Sequence, residues 1–143
     1  LIVIEHEQPL KEYERTGIDV DGIISSQLLI NIFEHNTPLH DGAVIVRGNR
    51  VISATCYLPL SDNMALSKDL GTRHRAGVGI SEVTDSLTVI VSEETGKISV
   101  AYEGQLERGL DAERLRARLS DIQDKPMEEK KRKLWKGRSG NEE

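Results

Sequence analysis

The sequence has little cysteine and few aromatic residues. Cys56 is the only cysteine among 143 residues, and aromatic residues make up 3% of the chain. A single cysteine excludes an internal disulfide, which fits a reducing compartment. We expect Cys56 to be a small core residue on a strand. The core must then be built from isoleucine, leucine, valine and alanine.

Long hydrophobic runs and an excess of positive charge are also lacking. No apolar stretch approaches the ~20 residues of a membrane span, and none of the given residues form a signal-peptide pattern. The net charge of −5 argues against a nucleic-acid partner, because non-specific binding needs a basic face. The chain contains no Walker loop, GxGxxG turn, CxxC pair or HExxH helix. A small basic pocket for phosphates remains open.

The order of apolar segments predicts one α/β (α+β) domain, a mixed sheet with helices packed on it. We predict a first strand over residues 1–5, an irregular stretch over 8–24 and a helix from Ser25 or Ser26 to about Glu34. Two hairpins follow, 44–46 with 51–54 and 87–91 with 98–101, separated by a helix over 72–84. Asp111 is expected to cap a last helix. The domain is predicted to span 1–120, and 121–143 to be a charged, disordered tail.

The first candidate site is His40-Asp41-Gly42-Ala43, directly before an apolar strand. One interpretation is a tight turn in which Asp41 accepts backbone hydrogen bonds. The other is a ligand site, where Gly42 lets the backbone approach a ligand closely. Asp41 would then hold a divalent metal or accept a proton. His40 would assist in either role, or serve as a hydrogen-bonded structural residue.

The second candidate site is Gly71-Thr72-Arg73-His74-Arg75, at a predicted helix start. Guanidinium groups match phosphate oxygens, and a helix N-terminus adds backbone N–H donors and a favourable dipole. The alternative is a solvated charged turn. The third group, Ser92-Glu93-Glu94, ends a predicted strand. It is either a soluble hairpin tip or the source of a second carboxylate that completes a metal site near Asp41.

In combination these segments resemble the diadenylate cyclase (DAC) domain, which makes cyclic di-AMP. The resemblance is carried by LHDGAVIV, CYLPLS and LGTRHRAGVGISEVTDSLTVIVSEETG, and it runs from about Leu1 to Leu119. It is greatest with the membrane-anchored cyclases of Gram-positive bacteria. The resemblance therefore implies a twisted mixed sheet surrounded by helices. It also implies a cytoplasmic domain that follows transmembrane helices in a longer, membrane-anchored protein.

The resemblance further implies a reaction and the residues that perform it. Two ATP molecules would condense to cyclic di-AMP and two pyrophosphates, each 3′-hydroxyl attacking the α-phosphorus of the other ATP. Each domain would bind one ATP, so catalysis would need a face-to-face homodimer. The implied catalytic residues are Asp41, Gly42, Ala43, Arg73, His74 and Arg75. The implied nucleotide-binding residues are Tyr57, Leu58, Gly71, Thr72, Arg73, His74, Ser92 and Glu93.

The implied cofactor is a divalent metal, held by Asp41, Glu94 and His40. Mn²⁺, Mg²⁺ or Co²⁺ is expected, because hard phosphate and carboxylate oxygens suit these ions. Implied protein partners are a membrane regulator and a phosphoglucosamine mutase. Gly77 departs from the family pattern, in which many relatives carry alanine.

Two other classes of function stay open on the sequence. The domain could be a sensor that holds ATP or cyclic di-AMP without turnover. The intact Asp41, Gly42 and Arg73-His74-Arg75 argue against this reading, because a sensor does not need the acid at the reaction centre. The third alternative is a regulatory domain that acts through contact with another protein and neither binds ATP nor forms product.

Overall fold

A seven-stranded mixed sheet organises residues 1–110 of the computed structural model, which describes residues 1–122 of the chain. The sheet order is β2-β4-β3-β1-β5-β6-β7. Strand β1 runs parallel to β3, and all other neighbours are antiparallel. The strands are β1 (Ile2–Ile4), β2 (Ile18–Ile23), β3 (Ala43–Arg47), β4 (Arg50–Cys56), β5 (Leu87–Val91), β6 (Ile98–Tyr102) and β7 (Gln105–Leu110). The predicted mixed sheet is confirmed.

Three helices accompany this sheet, α1 (Lys11–Glu14), α2 (Ser26–Ile32) and α3 (Thr72–Val83). Helix α2 begins as predicted, because the Ser25 side chain accepts a hydrogen bond from the Leu28 N–H group at 3.1 Å. Both predicted hairpins are also present, as β3–β4 and β5–β6.

The interior strand β3 is buried on both faces, which explains its continuous apolar sequence. Ala43 and Ile45 pack with Ile80 of α3 on one face. Val44 and Val46 pack with Ile32 of α2 on the other face. Cys56 lies in the first of these clusters, 2% exposed, and burial raises the pKa of its thiol. The prediction of a core cysteine is therefore confirmed.

The prediction that residues 8–24 are irregular is wrong. It contains α1 and the edge strand β2. Aspartate and glycine are uncommon in strands, so the sequence IDVDGI did not predict β2. This strand is mostly exposed and pairs with β4 alone. Strand β7, QLERGL, was missed for the same reason, since it is polar and lies at the opposite edge.

Residues 111–122 begin a second unit of the chain. The Asp111 side chain accepts a hydrogen bond from the Arg114 N–H group at 2.8 Å, which confirms the predicted cap. Residues 112–122 are helical. The boundary between a 1–120 domain and a 121–143 tail stays a prediction, because residues 123–143 lie outside the described part. No helix within residues 1–122 is long and apolar enough to span a membrane.

Helix α3 is enclosed on several sides, and its glycines permit two close contacts. A Cβ atom on Gly79 would lie 1.9 Å from the carbonyl oxygen of Pro59. A Cβ atom on Gly77 would lie 2.6 Å from Cδ1 and 2.9 Å from Cγ1 of Ile90, a fully buried side chain. Next to the contact between Gly79 and Pro59, the Ser61 N–H group donates to the Arg75 carbonyl at 2.9 Å. The segment after β4 is thereby fixed against α3.

We predict that Gly79→Ala and Gly77→Ala differ in their effect on stability. Both substitutions should gain about 0.5–1 kcal/mol of helix propensity. Gly79→Ala must also displace backbone, so we expect it to lower the free energy of unfolding by about 1–3 kcal/mol. Gly77→Ala must shift the buried Ile90 side chain but no backbone, so we expect a smaller loss than for Gly79→Ala. Urea unfolding measures both, and an equal or larger loss for Gly77→Ala would contradict the close contact at Pro59.

Candidate active site

Asp41 and Gly42 lie at the entry to β3, where the backbone needs glycine. Gly42 has a φ of +80°, and a Cβ atom on it would lie 2.9 Å from two backbone atoms of Thr55. The exposed Asp41 carboxylate accepts a hydrogen bond from the Gly42 N–H group at 3.0 Å. Gly42 therefore approaches the backbone of β4 closely, whereas the sequence predicted a close approach to a ligand. This packing presents the Asp41 carboxylate to solvent.

Thr55 supports this arrangement from β4 in a strained conformation. Its φ of +56° is unusual for a β-branched residue. The β3–β4 register shifts here, because Ala43 pairs with Cys56 while Ile45 pairs with Ser53. Between these pairs, one residue of β3 (Val44) opposes two of β4 (Ala54 and Thr55), which forms a bulge. The bulge carries the chain after Cys56 past Gly42.

A cleft of about 580 Å³, here named the Asp41 cleft, opens beside this bulge. Tyr57, 76% exposed, forms part of its wall, and the Tyr57 N–H group donates to Oγ1 of Thr16 at 2.8 Å. Of the residues predicted for the site, this cleft brings together six, namely Asp41, Gly42, Tyr57, Leu58, Thr72 and Arg73.

Arg73 connects the first turn of α3 to the end of β5. Its Nη1 donates to the Val91 carbonyl at 3.1 Å, and its Nη2 donates to the Glu93 carboxylate at 2.5 Å. The hydrogen bond from Arg73, and then its charge, hold the pKa of Glu93 below the usual range. Arg73 is thus positioned by a backbone carbonyl and paired with an exposed acid.

A second cleft of about 590 Å³, here named the Arg108 cleft, lies on the other side of α3's first turn. Residues from the loop before α3, the β5–β6 hairpin and β7 form its walls. It shares Thr72 and Arg73 with the Asp41 cleft. The predicted residues that it brings together are Gly71, Thr72, Arg73, His74, Ser92, Glu93 and Glu94.

Three predicted residues line neither cleft. Ala43 is fully buried in the core cluster under β3, so only its backbone position next to Gly42 links it to the site. Arg75 contributes its carbonyl to the contact with Ser61. The His40 ring lies with Nδ1 at 2.6 Å from the Thr37 carbonyl and packs against His35 with ring centroids 5.8 Å apart. These contacts fit the structural alternative for His40.

The predicted metal ligands do not form a protein-only metal site. Within residues 1–122, no three histidine, cysteine, aspartate or glutamate side chains converge on one point. Asp41 and Glu94 line different clefts. One exposed carboxylate does fit Mg²⁺ or a similar ion that completes its coordination with substrate phosphates. Asp41 offers such a carboxylate, so the residues fit a metal that arrives with a nucleotide.

Several lining residues carried no signal in the sequence. Thr16 and Thr55 belong to the Asp41 cleft, while Asp69, Lys97 and Arg108 belong to the Arg108 cleft. Arg108 lies on the unpredicted strand β7, so nothing in the sequence placed it near α3. Asp69 stands just before the Gly71–Arg75 group and could have been included with it.

His74 is surrounded by positive charge in the Arg108 cleft. Burial lowers the pKa of its imidazole, and the charges of Arg108 and Arg73 lower it further, while Asp69 opposes them. The ring is therefore neutral at pH 7. A polyphosphate in this cleft would raise the pKa of His74 and favour the charged ring.

Comparisons with known proteins identify the family of the chain. Residues 1–106 match the DAC family, described as the DisA bacterial checkpoint controller nucleotide-binding family. The chain belongs to this family, as the resemblance of its motifs predicted. It is 59% identical over 119 residues to cyclic di-AMP synthase CdaA of Bacillus subtilis, covering 83% of this chain and 44% of that protein. It is 59% identical over 115 residues to a diadenylate cyclase of Listeria monocytogenes, covering 80% and 42%.

The fold agrees with solved structures as well. A crystal structure of DacA from Staphylococcus aureus superposes with a TM-score of 0.83 at 54% identity, covering 85% of this chain and 81% of that one. A hypothetical membrane spanning protein from Bacillus cereus gives a TM-score of 0.74 at 42% identity, covering 77% and 54%. The chain spans less than half the length of the two curated relatives named above.

The lowered pKa of His74 predicts a pH dependence. The unfolded state takes up the proton near pH 6.5 and the folded state only at lower pH, so stability is lost as pH falls below about 6.5. We expect the NMR titration of the His74 ring to have its midpoint below 6.5. His74→Gln should remove this part of the pH dependence of unfolding. A midpoint at or above 6.5 would contradict the cationic surroundings described here.

Proposed function

We propose that residues 1–120 form a diadenylate cyclase domain, which condenses two ATP molecules into cyclic di-AMP and two pyrophosphates. The observation that carries this proposal is the meeting of the two clefts at Thr72 and Arg73. The exposed Asp41 carboxylate lies in one cleft, and the other is lined by Arg73, Lys97 and Arg108 together with three carboxylates. The names of the relatives, cyclic di-AMP synthase and diadenylate cyclase, support the same activity.

The nucleotide would lie across both clefts. Adenine and ribose fit the Asp41 cleft, where Tyr57 and Leu58 offer apolar surface and the Gly42 backbone is accessible. The phosphates would follow the first turn of α3, meeting Arg73 and the backbone N–H groups of this helix start. Guanidinium and helix N-terminus both favour phosphate. Glu93 would release Arg73 as the phosphate arrives.

The reaction is a nucleotidyl transfer at the α-phosphorus. The 3′-oxygen of one ATP forms a bond to the α-phosphorus of the other, and the bond from that phosphorus to the bridging β-phosphate oxygen breaks. The electron pair leaves with pyrophosphate. Asp41 is the one carboxylate among the residues that line the Asp41 cleft, so we assign it as the proton acceptor or as the group that orients the hydroxyl. Two such steps close the ring.

One domain is insufficient for this reaction, because each site holds one ATP. A two-fold arrangement of two domains would place each 3′-hydroxyl in line with the opposite α-phosphate. The Asp41 cleft is open to solvent and Tyr57 on its wall is exposed, which leaves room for a second nucleotide. We therefore propose a homodimer as the active species.

Diadenylate cyclases in general depend on a metal ion. We place the ion at Asp41, where Mn²⁺, Mg²⁺ or Co²⁺ would complete its coordination with phosphate oxygens. When bound, the ion would neutralise charge on the triphosphate and on the departing pyrophosphate. Glu94 would reach it only from the neighbouring cleft, and His40 is engaged by Thr37.

Membrane attachment of the longer protein is also a proposal. It is supported by the relative described as membrane spanning. A membrane regulator and a phosphoglucosamine mutase stay predicted partners. The sensor function remains the alternative of a different class, and it is separated from the cyclase by product formation alone.

Asp41→Asn and Arg73→Ala test the division of roles within the site. With ATP and Mn²⁺, the parent chain should form cyclic di-AMP, detected by chromatography. Asp41→Asn should abolish product but largely retain ATP affinity, because it keeps the shape and removes the charge. Arg73→Ala should weaken ATP binding by about tenfold or more, as expected for loss of a charge-assisted contact.

Arg47→Ala serves as a control, since Arg47 pairs with Glu5 and Glu14 away from both clefts. It should leave product formation and ATP affinity unchanged. Equal loss of ATP affinity in Asp41→Asn and Arg73→Ala would contradict the division of roles. ATP binding by the parent chain with no product under any metal would favour the sensor.

A further inference from the structure

We propose that Thr16 is a positioning residue, whose hydroxyl fixes the main chain of Tyr57 and thereby holds the Tyr57 ring at the wall of the Asp41 cleft. This inference rests on the proposed function, because it takes the Tyr57 ring as a surface that meets the base. Thr16 carries none of the site roles that the family motifs imply, and it lies outside the motif segments around Asp41 and Arg73.

Tyr57 needs such an anchor because its own side chain is not packed. Strand β4 ends at Cys56, so Tyr57 is the first residue beyond the ladder. Tyr57 is 76% exposed, whereas the next residue, Leu58, packs against the buried cluster that contains Ile45. The position of the Tyr57 ring therefore depends on how its main chain is held.

Thr16 supplies this main-chain contact from a distant part of the sequence. The Tyr57 N–H group donates to Oγ1 of Thr16 at 2.8 Å. A side chain here takes the place that a partner strand has in a sheet. Further along the chain, the Pro59 carbonyl contacts Gly79 and the Ser61 N–H group binds α3. Thr16 thus fixes the segment close to the point where it leaves the sheet.

The Thr16 hydroxyl is oriented for this contact. Its Oγ1 also donates to the Tyr13 carbonyl at 2.6 Å, so its one proton is engaged. Its lone pairs then remain for the Tyr57 N–H group. Tyr13 itself is partly buried and packs against the same cluster as Leu58. The core therefore supports the hydroxyl through Tyr13.

Gly17 sets the distance between Thr16 and β4. A Cβ atom on Gly17 would overlap the Ala54 carbonyl oxygen and would lie 2.6 Å from Sγ of Cys56. The turn that follows α1 thus lies directly against the last residues of β4, a close approach that glycine permits. Backbone packing therefore brings Thr16 within reach of Tyr57.

Two other roles are open to Thr16, and each makes a different prediction. Thr16 is exposed and lines the Asp41 cleft, so a direct contact with the nucleotide is one alternative. A general contribution to stability is the other. In both alternatives the effect of Thr16 on nucleotide affinity does not depend on the Tyr57 ring. In the positioning role it depends on that ring completely.

Thr84 provides a matched control at the opposite end of α3. Its Oγ1 donates to the Ile80 carbonyl at 2.8 Å and accepts from the Ser86 N–H group at 3.3 Å. The hydroxyl thus makes the same two kinds of contact as that of Thr16. Thr84 lines neither cleft. Thr84→Val therefore reproduces the chemical change without touching the Asp41 cleft.

The test measures binding of α,β-methylene ATP, which cannot release pyrophosphate, by calorimetry with the full 143-residue chain. Thr16→Val keeps the shape and removes the hydroxyl, and it should weaken binding by about fivefold. Thr16→Ala repeats the test without a branched side chain. Thr16→Ser restores the oxygen and should stay within about twofold of the parent. Thr84→Val should match the parent.

A double-mutant cycle with Tyr57→Ala identifies the route of the effect. Tyr57→Ala removes the ring but keeps the N–H group, and it should itself weaken binding. In this background Thr16→Val should change the affinity by less than about twofold. A loss that persists without the ring would assign Thr16 a direct or general structural role and overturn the proposal. Unchanged affinity in Thr16→Val or in Tyr57→Ala alone would also overturn it.

Inorganic tripolyphosphate gives a second readout, because it has no base. Its affinity should be the same in the parent and in Thr16→Val, since the Tyr57 ring contributes nothing to it. An equal fall for tripolyphosphate and α,β-methylene ATP would show that the whole site is disturbed, which contradicts the positioning role.

These outcomes are separate from the test of the cyclase activity. If the parent chain forms no cyclic di-AMP, the proposed function fails. The positioning role still stands in that case if Thr16 and Tyr57 are coupled in binding of α,β-methylene ATP. If cyclic di-AMP is formed but the two residues are not coupled, only the positioning role is overturned.

Discussion

The site depends on the close packing of α3 against the segment that follows β4. Gly79 lets the helix touch the Pro59 carbonyl, and the Ser61–Arg75 hydrogen bond fixes the same contact one turn earlier. This packing holds Tyr57 and Leu58 on one side of the first helical turn. Arg73 then joins that turn to the end of β5. Helix α3 therefore positions both Tyr57 and Leu58, which would contact the base, and Arg73, which would contact phosphate. A shift of α3 relative to the segment after β4 would move these two parts of the site apart.

A second constraint acts on the acid. Gly42 and the strained Thr55 meet where the β3–β4 register shifts, and together they present Asp41 at the surface. Strain of this kind persists only where the surroundings enforce it, and it is common at functional sites. The neighbouring core strand, buried on both faces, supplies that rigidity. The β3–β4 bulge thus positions Asp41, while α3 positions Arg73, and both residues line the Asp41 cleft.

The sequence predicted the elements with strong apolar patterns and missed those without them. Both hairpins, α2 with its Ser25 cap and α3 followed from periodicity and capping. Strands β2 and β7 lie at the sheet edges, where few side chains are buried, so their polar sequences resemble loops. The motifs around Asp41 and Arg73 predicted residues that line one cleft. Lys97 and Arg108 reach the other cleft only through strand pairing, which a linear pattern does not contain. His40 is adjacent in sequence to Asp41, yet its ring is held by Thr37.

The central claim is that two copies of this domain, each with one ATP, complete one reaction. The most direct test is the initial rate of cyclic di-AMP formation across a range of protein concentrations at fixed ATP and Mn²⁺. A transient face-to-face dimer predicts a rate that rises faster than linearly with protein concentration and becomes linear once the dimer is saturated. A rate proportional to protein concentration down to the most dilute sample, where size measurements show only monomer, would contradict the account.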